Sequence, residues 1–215
     1  MNDNIQVTDI EENAALKMLH DNSIDLIILN IEDEPTTNID AEKYYKEKIK
    51  NAWSEYERVI KPNGAICVIG KEPFISTVRM KNIRSYKYDM IWNNANAEKI
   101  TIEKTKPINT HESIAVFNTN IWNQRKCQNL NGSIIRGNKE EMTECIINAY
   151  TKPKQIVLDS RMANGETGIA CINTDRGFRG IEERSYIYDN AYKKIVNRAK
   201  CKNEKEGVKG EDNSR

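Results

Sequence analysis

The segment from Val157 to Glu182 constrains the fold more than any other part of the chain. It starts with the apolar run Val157-Leu158-Asp159, passes through a tight loop into an apolar helix start at Thr167–Ile172, and ends with the run Phe178–Glu182. Strand, loop, helix and strand in this order are typical of a parallel sheet with a nucleotide or cofactor site at the carboxyl ends of its strands. Glu182 follows Asp159 at close to the offset of about 20 residues expected for a ribose-binding carboxylate.

Length and composition favour a globular domain. The chain has 215 residues, enough to bury a sizeable core. Its 33 Lys and Arg almost balance its 32 Asp and Glu, so DNA binding would require a local basic patch. Five cysteines without CxxC spacing and two histidines argue against structural zinc and predict reduced thiols in a cytoplasmic protein. We find no signal peptide, and no apolar run approaches the roughly 18–20 residues of a membrane span.

Alternating apolar patterns predict an α/β three-layer sandwich with a mostly parallel sheet. Short runs rich in β-branched residues predict further buried strands at Ile24–Asn30, Ala65–Gly70, Tyr88–Trp92 and Ser113–Phe117. One helical face is formed by Tyr45, Ile49, Trp53, Tyr56 and Ile60, and this helix ends at a Pro-Gly turn. Other helices are predicted at Ala14–Leu19, Glu140–Tyr150 and Ser185–Ala199. We predict one domain over residues 1–199, with a polar insertion at 118–138 and a disordered tail at 200–215.

The order of several short motifs resembles that of the β-group DNA amino-methyltransferases, which act on adenine N6 or cytosine N4. The motifs are Asn22–Ile28, Trp53-x-Glu55-x-x-Arg58 through Gly64, Tyr88-Asp89-x-Ile91-Trp92, Pro107-x-x-x-His111-Glu112, Ala149-Tyr150-Thr151, Val157-Leu158-Asp159, Gly165-x-Thr167-Gly168 and Gly180-Ile181-Glu182. The catalytic strand precedes the cofactor loop, as in that permuted group. The resemblance covers roughly residues 5–198 and implies a Rossmann-like, S-adenosylmethionine-dependent methyltransferase fold with permuted motif order.

The resemblance places the catalytic loop at Asn30, Ile31, Glu32 and Asp33. The family has Asp or Asn there, followed by two prolines and an aromatic residue. The first side chain and a backbone carbonyl orient the target amine toward the methyl donor, and the aromatic ring stacks on the flipped base. Asn30 retains an acceptor, but the prolines and the ring are replaced. The resemblance therefore implies impaired catalysis.

The cofactor loop departs from the family in a similar way. The resemblance implies that Asp159 meets the methionine ammonium of S-adenosylmethionine, that Glu182 accepts from the ribose, and that Gly165 and Lys139 belong to the same site. Three substitutions alter the loop: Arg161 replaces an aromatic residue, Ala163 a glycine and Glu166 a neutral residue. Ala163 adds a methyl group where the backbone must approach the ligand or take positive φ. We therefore expect weak binding of S-adenosylmethionine and no metal.

The resemblance implies that the polar insertion at 118–138 corresponds to the region that reads the target DNA sequence in the family. Here it offers Trp122, Arg125, Lys126 and Arg136 as candidates for DNA contact, a small set for reading base edges.

Each of these residues also has a structural interpretation. Asp159 and Glu182 suit the cap of a following helix, Asn30 suits a polar strand end, and the pair His111-Glu112 suits structural hydrogen bonds.

Three functions remain open from the sequence. The first is a catalytically impaired methyltransferase-like protein that binds DNA or regulates, or that pairs with a methyltransferase-fold partner or a second copy of itself. The second is an active DNA methyltransferase with divergent motifs. The third is a protein-interaction scaffold that does not bind nucleic acid.

Overall fold

A computed structural model describes residues 4–31, 37–93, 111–120, 127 and 130–212, with side chains up to residue 202 and at Glu204. Its strands are β1 (Ile5–Thr8), β2 (Ile24–Asn30), β3 (Ile60–Gly70), β4 (Tyr86–Asn93), β5 (His111–Phe117), β6 (Leu130–Asn131), β7 (Ile134–Arg136), β8 (Ile156–Asp159) and β9 (Gly177–Ile181). Its helices are α1 (Glu12–Lys17), α2 (Asn38–Tyr44), α3 (Lys50–Val59), α4 (Phe74–Lys81), α5 (Lys139–Tyr150), α6 (Glu166–Asn173) and α7 (Ser185–Asp212), and a π-helical turn (Tyr45–Ile49) joins α2 to α3.

The described strands form one sheet in the order β1-β9-β8-β2-β3-β5-β4-β7-β6. The five strands from β1 to β3 in that order are parallel, whereas β5 is antiparallel to both of its neighbours. A sheet of this kind buries both faces, so its central strands are apolar throughout. In β2 the side chains alternate: Leu26 and Ile28 join the core on one face, and Ile27 and Leu29 join the core on the other. This arrangement confirms the predicted α/β fold.

The long helical segment between β2 and β3 packs as its periodicity predicts. Tyr45, Ile49, Trp53 and Tyr56 are all buried against one face of the sheet. The helix ends at Val59, and Ile60 and the predicted Pro-Gly turn that follows it belong instead to β3. Two of the last helix carbonyls accept the backbone N–H groups of residues 22 and 23. This segment therefore carries the chain from the end of β2 back to the start of β3.

Several features differ from the sequence-based expectation. Strand β1 and helix α4 were not predicted, and the polar insertion at 118–138 contains the hairpin β6–β7, which extends the sheet by pairing β7 with β4. The strands of this hairpin are two and three residues long, too short to show a period. Cys127 and Cys145 form a disulfide, so the prediction of reduced thiols is wrong for this pair.

The predicted disordered tail needs correction as well. Helix α7 continues to Asp212 instead of ending near Ala199. The Lys and Glu residues that suggested disorder are also good helix formers. The Lys202 amine donates to the Ile172 carbonyl oxygen at 2.6 Å, which holds this part of the helix against α6. No helix in the described ranges has both the length and the apolar character needed to cross a bilayer.

Candidate cofactor cleft

The candidate site lies where the chain changes direction across the sheet. Strands β2 and β8 are adjacent and parallel, but β2 is followed by β3 on one side and β8 by β9 on the other. The crevice beyond the carboxyl ends of such a strand pair is the usual ligand site of open α/β sheets. Asn30 ends β2 and Asp159 ends β8, so the fold brings the two residues to this crevice.

Two cavities of very different size occupy the crevice. A space of only about 10 Å³ lies between Asn30 and Asp159, with Lys139 and Glu166 among its lining residues. A larger cleft of about 320 Å³ lies next to it and is lined by Glu182 among others. Arg161 lines both, as do Asn30 and Ala163. All the predicted catalytic and cofactor residues in the described part of the chain except Gly165 therefore line one cavity or both.

Asp159 holds the loop that follows it. Its side chain is buried, one carboxylate oxygen accepts the backbone N–H of Arg161 at 3.1 Å, and the other accepts the Thr167 hydroxyl at 2.6 Å. These contacts tie the strand end to the loop and to the first turn of α6. The geometry thus supports a loop-capping role for Asp159, which the sequence had left open.

Arg161 crosses the crevice and is bound on its far side. Its guanidinium pairs with the Glu12 carboxylate of α1 at 2.7 Å and donates to the Tyr44 hydroxyl at 3.0 Å and to the Lys48 carbonyl at 2.8 Å. Burial by itself would lower the pKa of Arg161, but the Glu12 charge and these contacts raise it overall. The cation is therefore permanent and held in place.

Two hydroxyl groups complete the surroundings of Glu12. The Tyr56 hydroxyl donates a hydrogen bond to the Glu12 carboxylate at 2.5 Å, and the Ser160 hydroxyl donates one to the same carboxylate oxygen at 2.6 Å. Burial, reinforced by the nearby Glu12 charge, raises the pKa of Tyr56 well above its ordinary value, so this hydroxyl remains a donor. Sequence analysis missed Glu12, Tyr44 and Ser160, because nothing local in the sequence indicates that they converge on Arg161.

Glu182 is bound by its own neighbours. One carboxylate oxygen accepts the backbone N–H and the Nε of Arg184, and the other accepts the Ala163 N–H and the Arg184 Nη2, at 2.7 to 3.1 Å. Burial tends to raise the pKa of Glu182, but the hydrogen bonds and charge of Arg184 lower it overall. All four acceptor positions of a carboxylate are thereby used, so a ribose would have to displace Arg184.

Lys139 and Gly165 also have structural roles. The Lys139 amine pairs with the Glu166 carboxylate at 2.7 Å, joining the starts of α5 and α6. Gly165 caps α6 with φ of +78°, and a Cβ there would lie only 3.0 Å from the Ile195 side chain of α7. The turn and the packing against α7 explain this glycine without a ligand.

Ala163 has a left-handed backbone, with φ of +42°, which is one of the two alternatives that the sequence left open at this position. An L-residue with a Cβ pays about 1–2 kcal/mol for this conformation. Replacing Ala163 with glycine is therefore expected to raise the free energy of unfolding by about 0.5–1 kcal/mol, measured by urea titration. The matched change Ala199→Gly, in the helical part of α7, should instead lower it by about 1 kcal/mol. A loss of stability in Ala163→Gly would contradict the strain.

The remaining candidates lie elsewhere or outside the described residues. The Asn30 side chain makes no hydrogen bond with the described residues, although it lines both cavities. Arg136 is exposed on β7, four strands from β2 in the sheet. Glu32, Asp33, Trp122, Arg125 and Lys126 lie outside the described residues. Within the described ranges, no cluster of three or more His, Cys, Asp or Glu side chains could hold a metal ion.

Comparison with protein families gives one match. Residues 119–193 match the family model described as DNA methylase, of the N6 and N4 type. This stretch contains Lys139, Asp159, Gly165 and Glu182. Sequence comparison with the curated proteins finds no match for this chain.

Solved structures share the whole fold. TTHA0409 from Thermus thermophilus, described as a candidate DNA modification methylase and complexed with S-adenosyl-L-methionine, superposes with a TM-score of 0.74 at 14% identity, over 91% of this chain and 94% of that one. The M1.HpyAVI complex with the same cofactor gives 0.70 at 22% identity over 88% and 99%. The cytosine-N4-specific PvuII DNA methyltransferase gives 0.73 at 13% identity over 91% of each chain. At these identities the likeness shows a common fold.

Proposed function

We propose that this chain, whose residues 119–193 match the N6/N4 DNA methylase family model, is a member of that family that does not transfer methyl groups and serves instead as a DNA-binding or regulatory partner subunit of a DNA methyltransferase. One observation carries the proposal. The space between Asn30 and Asp159 is only about 10 Å³, whereas sites for small ligands usually measure about 300–1,000 Å³. The methyl donor and the target amine would have to meet in this space.

The residues around this space do not fit the methionine end of S-adenosylmethionine. Asp159 already accepts from Arg161 and Thr167, and the Arg161 cation crosses the crevice where a sulfonium, also cationic, would lie nearby. Glu166 adds a carboxylate near the place of the methionine carboxylate. Like charges placed close together weaken binding. The fold holds this cofactor in two of the similar structures, but the loop contacts of this chain oppose it.

The catalytic loop also lacks the proline and the aromatic ring that would orient the target amine and stack on the flipped base. Asn30 can accept a hydrogen bond from an amine, but Ile31 follows it in place of a proline and is buried. The next two positions are Glu32 and Asp33, which supply no ring for stacking on a flipped base. Stacking contributes about 1–3 kcal/mol per base, and a loss of that size slows a reaction by about one to two decades.

The retained frame argues that the fold still has a role. Both faces of the sheet keep apolar cores, and Asp159 keeps its hydrogen bonds to the loop that follows it and to the first turn of α6. A chain without a selected role would be expected to lose packing as readily as it loses its site. A noncatalytic subunit needs this frame and does not need the donor pocket.

A second candidate is an active methyltransferase, and one observation favours it. The amide of Asn30 makes no hydrogen bond with the described residues and faces the crevice. It is therefore available for an amine if Arg161 moves aside.

Transfer of a tritiated methyl group from S-adenosylmethionine to DNA distinguishes the two candidates. We expect no label in DNA from the wild type, and calorimetry with millimolar S-adenosylmethionine to give no heat of binding. Asn30→Ala is the matched control, because it should leave this background unchanged. Label that appears with the wild type and disappears with Asn30→Ala would establish the active candidate. Gel shifts at low and moderate salt would test DNA binding, which is expected to weaken as salt rises.

A further inference from the structure

One disulfide joins the polar insertion to the body of the protein. Cys127 lies in the insertion and Cys145 in the middle of α5, and the two residues are 18 positions apart in the chain. Each is only 5% exposed, and both belong to the apolar core that includes Met142 and Ile146 of α5. The loop that this bond closes contains the hairpin β6–β7. The disulfide therefore fastens the start of that loop to α5.

The hairpin is a short element at the end of the sheet. Its strands have two and three residues, and β6 is the last strand in the order of the described sheet. Three residues of β7 pair with β4, Ile135 is buried in the core, and the Trp92 Nε1 donates to the Gly137 carbonyl at 2.9 Å. Short strands with so few pairs are marginally stable on their own. The hairpin can therefore open locally while the central strands stay folded.

The other cysteines do not compete for this pair. Cys67 of β3 and Cys171 of α6 are fully buried, and burial raises the pKa of both thiols. Because the thiolate is the reactive form of cysteine, these two thiols stay protonated and inert. Cys201 is exposed on α7 and makes no disulfide. Local opening of the hairpin would thus give a reductant access to Cys127 and Cys145 while Cys67 and Cys171 stay covered.

We propose that Cys127 and Cys145 form a reversible thiol–disulfide switch, which holds the hairpin β6–β7 against α5 when oxidised and releases it when reduced. A small thiol such as glutathione supplies the electrons. Its thiolate attacks one sulfur, forms a mixed disulfide and expels the other cysteine as a thiolate, which takes up a proton. A second small thiol attacks the mixed disulfide, which leaves two protein thiols and one small-molecule disulfide. An excess of that small-molecule disulfide drives the same steps in reverse.

The switch acts on a surface that the proposed function uses. Arg136, a candidate for DNA contact, is exposed on β7, so its position follows that of the hairpin. Under the proposed function, on which this consequence rests, oxidation fixes Arg136 in place for DNA and reduction releases it.

Hydrogen exchange in glutathione buffers tests the switch without DNA. The wild type is equilibrated with mostly reduced or mostly oxidised glutathione, and alkylation after denaturation, followed by mass spectrometry, gives the state of each cysteine. Cys127 and Cys145 should be alkylated together in the reduced buffer and protected together in the oxidised one. Amides of residues 130–136 should exchange about 100-fold faster in the reduced state, because the disulfide no longer restricts the opened loop. Amides of β2 should exchange equally in both states.

A matched pair of variants locates the effect. Cys127→Ser should exchange like the reduced wild type in both buffers, whereas Cys201→Ser should keep the two states of the wild type. The switch is refuted if the wild-type pair keeps one redox state in both buffers, or if residues 130–136 exchange at equal rates in the two states. This wild-type comparison decides the matter even where Cys127→Ser folds poorly. Failure here differs from failure of the proposed function, which requires labelled DNA.

Discussion

Replacing Arg161 with methionine is expected to lower the free energy of unfolding by about 3 kcal/mol. The Glu12 carboxylate is only 8% exposed and would lose the cation that balances its charge. The Tyr56 and Ser160 hydroxyls would still donate to it, but two hydroxyls do not compensate a buried charge. Urea titration followed by fluorescence measures the loss.

The double variant Glu12→Gln with Arg161→Met shows whether the charge is the cause. Removing both charges should recover most of the loss, because breaking a buried pair costs far more than replacing it. Lys154→Met is the surface control: its amine pairs with an exposed Asp175 at 2.6 Å, and its loss should cost less than about 1 kcal/mol. If the single and double variants are equally unstable, the packing of Arg161 matters more than its charge.

The sequence predicted those parts of the fold that local patterns encode. Strand β2 has the predicted bounds, Ile24–Asn30, because a buried parallel strand is a continuous run of β-branched and apolar residues. The buried helical face around Trp53 could also be predicted from the sequence, since a period of 3.6 residues repeats over several turns. The hairpin β6–β7 could not be predicted, because strands of two and three residues are too short to show an alternating pattern of apolar and polar residues.

The site was predictable in position but not in contacts. Asn30 and Asp159 could be placed at strand ends, and parallel strands bring their carboxyl ends together. A positive φ at Ala163 was one of two alternatives left open by the sequence, and the backbone there has φ of +42°. The partners of Arg161 were not predictable, because Glu12 lies 149 residues away in the chain. The disulfide between Cys127 and Cys145 depends likewise on how the insertion meets α5.

The second large effect is expected at Asp25, which lies near the amino end of β2, at the opposite end of that strand from Asn30. Its carboxylate, only 5% exposed, accepts from the Lys61 amine at 2.7 Å, the Gln155 amide at 2.7 Å and the Ile156 backbone N–H at 2.9 Å. These contacts join β2 to β3 and to β8. Hydrogen bonds to a charged group contribute about 1.5–3 kcal/mol each, so Asp25→Ala is expected to destabilise the fold by about 3 kcal/mol in a urea titration.

Two further variants test whether the hydrogen bonds of Asp25 to Lys61, Gln155 and Ile156, called here the Asp25 clamp, cause this loss of stability. Asp25→Asn keeps the shape and one acceptor, so it should lose about half as much as Asp25→Ala. Asp21→Ala removes a carboxylate that pairs with Arg58 but is 69% exposed, and it should cost less than about 1 kcal/mol. An Asp25→Ala variant as stable as Asp21→Ala would show that the strands are registered by their apolar faces alone. The clamp would then have no part in holding β8, and with it the cofactor loop, against β2.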